Sequence, residues 1–360
     1  MRKKIYFTPG PTELFYTVEE HIKTALRKQI LSISHRSKAF EKIHKEASDN
    51  LRQLLNIPAE HKIIFTNSAA ELADKVILNC VEKDCCLLIN GSYSSHFSYT
   101  ARQLGKNVVK VESSDRECPS LDKILLAETC ELIGLTINET STGTAYAENV
   151  FEKIKVAFPD QLIAVDATAS LPYFNIDYNY TDLVFFSGQY GFGCPSGLGI
   201  LIISQRALEK AGKMTRKNIP IGPYHSLPLY YSKLLKNQTP ANPNIFGIYL
   251  LSKVSSDMLN VGIDRIRRET KYKHAVLQQT IETSSILSHF VEKEQYRSKT
   301  TISAETAIPS NEIIAELAEK GIVIGGGHEK YKFKHIRISN YPTHSKEQVE
   351  MLADHLARIS

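Results

Sequence analysis

The residue with the clearest capacity for chemistry is Asp166, which ends an apolar segment predicted to be a strand. This segment, Leu162–Asp166, is followed by four small residues, Ala167, Thr168, Ala169 and Ser170. A buried carboxylate is costly without a cation, so Asp166 would need a positively charged partner such as a pyridinium. Taken alone, it is equally well explained as a strand-end aspartate that caps the following turn.

A second segment has the composition of an anion-binding helix start. The run Thr66-Asn67-Ser68-Ala69-Ala70 predicts a strand that leads into a helix through small residues. Backbone amides at a helix N-terminus bind phosphate, and the Ser68 hydroxyl can add a hydrogen bond, whereas Ala69 and Ala70 contribute amides only. For this segment alone, an ordinary serine N-cap is the better interpretation.

The order of Asp166, a second predicted strand at Asp182–Phe186 and the loop Ser187-Gly188-Gln189-Tyr190 resembles the class V, fold-type-I aminotransferases, which use pyridoxal 5′-phosphate (PLP). In that family the aspartate pairs with the pyridinium nitrogen, and a lysine preceded by glutamine carries the Schiff base. The resemblance extends from Thr8 to the last helix and is nearest to the phosphoserine aminotransferases. It implies PLP, or its amine form, as the cofactor.

The resemblance also implies which residues hold the cofactor. Tyr93 would stack on the pyridine ring, and Thr140, in an Asn-Glu-Thr-Ser-Thr-Gly turn, would face the ring oxygen. Asn242 would reach the phosphate from the neighbouring subunit, which implies a homodimer with shared sites. The full cofactor-binding set is Ser68, Ala69, Ala70, Tyr93, Thr140, Asp166, Gln189 and Asn242.

Four residues match the substrate-binding positions of the family. Arg337, in Ile-Arg-Ile-Ser, would clamp the substrate α-carboxylate, although an internal salt bridge is the simpler alternative. Backbone near Gly10 would border the substrate. In the phosphoserine enzymes, His35 and Arg36 would contact the substrate phosphate, but alanine–glyoxylate-type relatives carry the same Ser-His-Arg run.

Tyr190 departs from the family pattern, because it stands where the Schiff-base lysine is expected. A phenol cannot form an imine, and its ordinary pKa of about 10 makes it a poor base at neutral pH. Three explanations stay open: lost activity, non-covalent binding of the amine form or of the cofactor–substrate adduct, or a residue that differs from the functional one.

Composition and charge exclude several other classes of protein. The 360 residues are 42% hydrophobic and 23% charged, which is ordinary for a soluble globular chain. The net charge of +5 is too scattered to indicate nucleic-acid binding. Six cysteines show no metal-binding spacing, so we expect no metal site and no disulfide framework. No signal peptide or membrane-spanning run is evident, so we expect a cytoplasmic protein.

Short apolar runs alternate with helical stretches between about residues 60 and 205, which predicts a mostly parallel sheet between helix layers, the α/β fold of type I PLP transferases. Predicted strands include Cys86–Asn90 and Leu132–Asn138, and predicted helices include Phe97–Leu104. We expect a large cofactor-binding domain over residues 15–250 and a smaller α+β domain from residues 1–14 and 251–360.

The expected function is transfer of an amino group between phosphoserine, or a similar small amino acid, and 2-oxoglutarate. The alternative is a catalytically silent relative that binds PLP, its amine form or a metabolite. Alanine–glyoxylate-type chemistry is a less favoured third interpretation. The expected partners are amino-acid and 2-oxo-acid substrates and a second copy of the chain.

Overall fold

The structure is a computed structural model that describes residues 4–122, 124 and 129–359. Its strands are β1 (Ile5–Phe7), β2 (Lys62–Thr66), β3 (Asp84–Ile89), β4 (Asn107–Glu112), β5 (Leu132–Thr136), β6 (Asn138–Glu139), β7 (Thr144–Ala145), β8 (Leu162–Asp166), β9 (Leu183–Ser187), β10 (Gly199–Ile203), β11 (Leu287–His289), β12 (Thr301–Thr306), β13 (Ile322–Gly326) and β14 (His335–Ser339). Its helices are α1 (Val18–Arg27), α2 (Lys38–Leu54), α3 (Ala69–Cys80), α4 (Ser92–Gln103), α5 (Val150–Ala157), α6 (Gln205–Arg216), α7 (Leu227–Leu234), α8 (Ile245–Val261), α9 (Ile263–Thr283), α10 (Ser310–Glu319) and α11 (Lys346–Leu356).

The larger sheet has the strand order β2-β10-β9-β8-β5-β3-β4. Its strands pair in parallel, except that β10 is antiparallel to both of its neighbours. Strands covered on both faces consist of continuous apolar runs, as β8 and β10 do. The prediction of a mostly parallel α/β sheet is therefore confirmed.

Helices cover both faces of this sheet. Along β2, Ile63 and Phe65 belong to one hydrophobic cluster and Ile64 to the other, because successive strand side chains alternate between faces. The first cluster includes residues of α2 and α8, and the second includes residues of α3 and α6. The predicted arrangement of a sheet between helix layers is confirmed.

Two predicted boundaries were wrong near the carboxyl edge of the sheet. The strand expected to reach Asn138 ends at Thr136, because the chain then enters the antiparallel β6–β7 hairpin, where Asn138 pairs with Ala145. The helix expected to begin at Phe97 begins at Ser92. Its first N–H groups are bonded by residues far away in sequence, which local composition does not reveal.

The long helical stretch after residue 244 consists of two helices, α8 and α9. Gly262 separates α8 from α9 with a φ of +87°, a conformation that glycine adopts readily. The second helix ends at Thr283.

The smaller sheet joins the two ends of the chain in the order β1-β13-β14-β12-β11. β1 runs parallel to β13, and Phe7 packs with Ile324 and Ile338 in a third hydrophobic cluster. Ser345 begins α11 with the predicted capping box. The residue limits of the two domains stay a prediction.

None of the helices in the described residues is long and apolar enough to cross a membrane. The same residues contain no group of three or more histidine, cysteine or acidic side chains arranged to hold a metal ion. All six cysteines are buried free thiols.

Candidate active site

A cavity of about 180 Å³ lies at the carboxyl ends of β5, β8 and β9. It brings together eight residues that the sequence analysis selected: Ser68, Ala69, Ala70, Tyr93, Thr140, Asp166, Gln189 and Tyr190. These residues come from five separate chain segments, and the open carboxyl edge of the parallel strands is where such a fold binds ligands.

Asp166 is the carboxylate of this cavity. It ends β8, and its Oδ1 accepts a hydrogen bond of 2.9 Å from the Thr168 N–H. Burial, helped by the negative charge of Glu139 and opposed by the hydrogen bonds from Thr168, raises the pKa of Asp166 to about 6. A ligand that brings a positive charge or a proton donor to this carboxylate is therefore favoured.

Two buried acceptors in the cavity wall lack hydrogen-bond partners. Asn138 donates through Nδ2 to the Ala169 carbonyl at 3.3 Å, which fixes its amide orientation and leaves Oδ1 without a partner. The Gln189 Oε1 is also buried without one. Unpaired buried acceptors are costly, so the wall suits a ligand that supplies several donors.

The anion-binding end of the cavity is the start of α3. Ser68 is its N-cap and accepts a 3.1 Å bond from the Glu71 N–H, and the Ala69 N–H donates to Ser187 Oγ at 2.9 Å. The N-cap interpretation therefore describes what Ser68 does in this structure. An accepting hydroxyl keeps its own proton, so Ser68 can still donate to a phosphate at the positive end of the helix.

Lys75 balances an acidic residue at this helix start. Glu71 lies in the first turn of α3, where its charge would repel a phosphate, but its Oε1 lies 2.8 Å from the Nζ of Lys75. Lys75 is fully buried and also donates to the Tyr224 carbonyl at 2.7 Å. The pair leaves the helix dipole free to favour an anion.

Tyr190 follows β9 and is half-buried, with its ring packed against Gly10 so closely that a side chain at position 10 would overlap it. Burial raises the pKa of Tyr190 well above its usual range. The residue is therefore a neutral phenol at physiological pH. No lysine is found among the described residues that line the cavity.

Arg337 lies on β14 beside the cavity. Its Nε donates to the Gly326 carbonyl at 2.7 Å and its Nη1 to the Thr140 carbonyl at 3.0 Å. Burial lowers its pKa, although an arginine keeps its charge at neutral pH. Both of these partners are neutral carbonyls, so the guanidinium is positioned but its charge is available to an anion, contrary to the salt-bridge alternative.

The other three selected residues lie outside the cavity lining. Arg36 donates to Gln238 Oε1 at 3.0 Å and to the carbonyls of Thr239 and Pro240 at 2.8 and 3.1 Å. His35, next to Arg36 in the chain, is half-buried. Asn242 is exposed, two residues after Pro240. These residues form a second group, the Arg36 cluster, comprising His35, Arg36 and residues 238–242.

Sequence reasoning missed several cavity residues. Asn138 was assigned to a strand, Thr168 was treated only as a small residue, and Ser187 was named only as part of a motif. All three residues lie at or just after the predicted end of a strand, and this position could have marked them as candidates for the site. Glu139 could not be selected in this way, because its side chain bonds the N–H groups of Tyr93 and Ser94, more than forty residues away in the sequence.

The sequence model of the family "Aminotransferase class-V" matches residues 4–352. A phosphoserine aminotransferase of Bacillus thuringiensis subsp. konkukian is 27% identical over 97% of each chain. The crystal structure of a phosphoserine aminotransferase from Cytophaga hutchinsonii is 42% identical and covers 100% of both chains with a TM-score of 0.98. A PLP-bound phosphoserine aminotransferase from Trichomonas vaginalis shares the fold, with 20% identity, 98% and 99% coverage and a TM-score of 0.84. The chain therefore belongs to the class-V aminotransferases, transferases of fold type I that use PLP.

Proposed function

We propose that the protein is an aminotransferase of the phosphoserine type, acting between phosphoserine or a similar small amino acid and 2-oxoglutarate. The observation that carries this proposal is the 42% identity to the Cytophaga hutchinsonii phosphoserine aminotransferase over the whole of both chains. A carboxylate and an arginine beside one cavity support it, because the reaction needs an acid for the cofactor and a clamp for the amino acid.

The cavity residues fit PLP. Asp166 would accept a hydrogen bond from the ring nitrogen, Tyr93 would stack on the ring, and the α3 N-terminus would bind the phosphate. Asn138 Oδ1, a buried acceptor without a partner, supports the fit because it suits a ligand hydroxyl or amine. When bound, the cofactor supplies an electron sink for negative charge that develops at the substrate Cα.

The substrate would be oriented by Arg337, whose charge suits an α-carboxylate. Gly10 leaves room for Tyr190 and not for a side chain of its own. Together these two positions would hold the amino acid over the cofactor with its Cα beside residue 190.

Residue 190 limits the chemistry that this chain can perform. A neutral phenol is a poor acceptor for the Cα proton, and it offers no amine to the cofactor. We infer that the cofactor is held without a covalent bond and that amino transfer is slow. The second candidate, a catalytically silent relative that binds the cofactor or a metabolite, is favoured by this one substitution.

We infer a homodimer with shared sites, and the Arg36 cluster supports it. Arg36 fixes the loop that carries Asn242, so these residues can reach a second subunit as a unit. Within one subunit, Lys330 is paired with Asp115 at 2.7 Å and is preceded by Glu329, so this loop is poorly suited to a phosphate. Binding of a phosphorylated substrate would then depend on His35 and Arg36 of the second subunit. Analytical ultracentrifugation should give twice the chain mass of 40.5 kDa.

The decisive experiment follows one amino transfer. Purified protein is mixed with PLP and with phosphoserine, glutamate or alanine, and pyridoxamine phosphate and the 2-oxo acid are quantified by chromatography. Equal amounts of the two products support the aminotransferase, with phosphoserine preferred over alanine. Cofactor binding without either product supports the silent relative, and no cofactor binding contradicts both.

A further inference from the structure

Glu139, at the end of β6, is a fully buried carboxylate that receives five hydrogen bonds. Its Oε2 accepts from the N–H groups of Tyr93 and Ser94, both at 3.0 Å, and from the Ser94 hydroxyl at 3.2 Å. Its Oε1 accepts from the N–H and the hydroxyl of Ser141 at 3.1 and 2.7 Å. All five donors are neutral backbone N–H groups or hydroxyls, and they occupy both oxygens of the carboxylate.

This carboxylate supplies the N-terminal cap of α4. The first N–H groups of a helix have no partner within it, and the N-cap residue here is Gly91, which has no side chain to provide one. Glu139 comes so close that a side chain at position 91 would overlap its Cγ. The Ser92 N–H is bonded by the Ser141 hydroxyl at 3.0 Å. The helix start is therefore fixed by a turn almost fifty residues away, and its positive end faces a negative charge.

Glu139 connects two residues that line the cavity, Tyr93 and Thr140, with Arg337 beside it. Tyr93 is the second residue of α4, and its N–H is held directly. Thr140 follows Glu139 in the chain, and its carbonyl accepts the 3.0 Å bond from Arg337. The Glu139 carboxylate thus links Tyr93, which would stack on the cofactor ring, with Thr140, whose carbonyl holds Arg337.

We propose that Glu139 is a positioning residue for cofactor binding, which sets the Tyr93 ring relative to Thr140 and Arg337 by capping α4. The inference rests on the proposed function, because it takes the cavity as the PLP site. Glu139 also acts through its charge, since it lies close enough to Asp166 to oppose ionisation of that carboxyl.

Two substitutions separate the effect of the Glu139 hydrogen bonds from the effect of its charge. Glu139→Asp keeps the charge but shortens the side chain by one CH₂, so the bonds to α4 are lost. Glu139→Gln keeps the length and removes the charge. Asp182→Asn is the control for loss of a buried carboxylate away from the cavity. Asp182 precedes β9, accepts bonds from the Ile163 N–H (2.9 Å) and the Ser204 hydroxyl (3.0 Å), and, unlike Glu139, also pairs with Arg206 at 3.0 Å.

The test measures the affinity for pyridoxamine phosphate between pH 5 and 8 by calorimetry, the circular dichroism of the bound cofactor, and the melting temperature without cofactor. We expect both Glu139 variants to lose at least tenfold in affinity and to change the dichroism. In Glu139→Gln alone, the acidic limit of binding should move to lower pH, because Asp166 ionises more easily. Asp182→Asn should melt earlier and bind within twofold of the parent.

The inference is overturned if either folded Glu139 variant binds within twofold of the parent, or if Asp182→Asn loses as much affinity as they do. If Glu139→Gln does not fold, Glu139→Asp decides alone. If the parent chain binds neither form of the cofactor, the proposed function fails and this inference fails with it, which distinguishes that outcome from failure of the Glu139 role by itself.

Discussion

The ring of Tyr190 lies edge-on to the ring of Tyr341, with centroids 6.3 Å apart and planes at 87°. The Tyr341 hydroxyl donates to the Pro9 carbonyl at 2.9 Å, and Tyr190 packs on the adjacent Gly10. Tyr190 is therefore confined by Gly10 and Tyr341. The positions of Asp166, the α3 N-terminus and Arg337 depend on contacts with other residues. This arrangement is compatible with our proposal of a cofactor site in which Tyr190 offers no amine for a covalent bond.

Asp166 should make the cofactor-free protein less stable as the pH rises. Its pKa in the folded state, about 6, is above the usual 3.8, so the folded protein binds this proton more tightly than the unfolded chain does. Ionisation of Asp166 does not lower the free energy of unfolding below about pH 4. Its destabilising effect grows as the pH rises towards 6 and is complete above pH 6. Water in the half-open cavity reduces the effect, so about 3 kcal/mol is an upper bound.

Urea unfolding of parent and Asp166→Asn at pH 4 and pH 8 checks this prediction. The variant should match the parent at pH 4 and exceed it in free energy of unfolding at pH 8. With PLP present the order should reverse, because the variant cannot hold the ring nitrogen as an ion pair. A variant that retains PLP with the parent's affinity and absorption spectrum would contradict the role of Asp166.

Arg337 should govern amino-acid affinity with little effect on folding. Its two hydrogen bonds go to carbonyls, whereas a carboxylate ligand would add charge-assisted bonds worth about 1.5–3 kcal/mol, or roughly 10- to 150-fold in affinity. Arg337→Ala should therefore bind glutamate or phosphoserine at least tenfold more weakly, by calorimetry on the cofactor-loaded protein. Arg337→Lys should recover only part of the loss. Unchanged affinity, or failure of Arg337→Ala to fold, would count against the clamp.

Pyridoxamine phosphate should bind at least tenfold more tightly than PLP. The aldehyde of PLP gains no covalent bond here, and it offers only an acceptor to a wall that already holds the unpaired Asn138 Oδ1 and Gln189 Oε1. The amine form brings donors to these acceptors. Equilibrium dialysis of both forms measures the ratio, and Tyr190→Lys should shift the preference towards PLP. An equal or tighter Kd for PLP on the parent would exclude this account of the wall.

The sequence predicted the parts of the fold that depend on local composition. The bounds of β8 match the predicted Leu162–Asp166, because a buried parallel strand is a continuous run of β-branched and other apolar residues. The start of α4 was missed, because its cap is Glu139, whose proximity exists only after β3 and β5 have paired. Local patterns do not carry such long-range bonds.

The candidate site shows the same division. Asp166 and Gln189 could be selected because functional residues follow the ends of parallel strands. The bonds from Arg36 to the loop at residues 238–240 could not, because two chain segments about 200 residues apart approach each other only in the folded protein. The unpaired Asn138 Oδ1 could not be predicted either, because it follows from the bond between Asn138 Nδ2 and the distant Ala169 carbonyl.

The most direct test of the account is borohydride reduction followed by intact-mass measurement of the parent and of Tyr190→Lys, each equilibrated with PLP, with Tyr190→Phe as the size-matched control. The account predicts that all three bind PLP, that parent and Tyr190→Phe release it on dialysis without added mass, and that Tyr190→Lys alone gains one reduced cofactor at residue 190. A cofactor mass on the parent, or a Tyr190→Lys protein that binds PLP without a reducible bond, would contradict it.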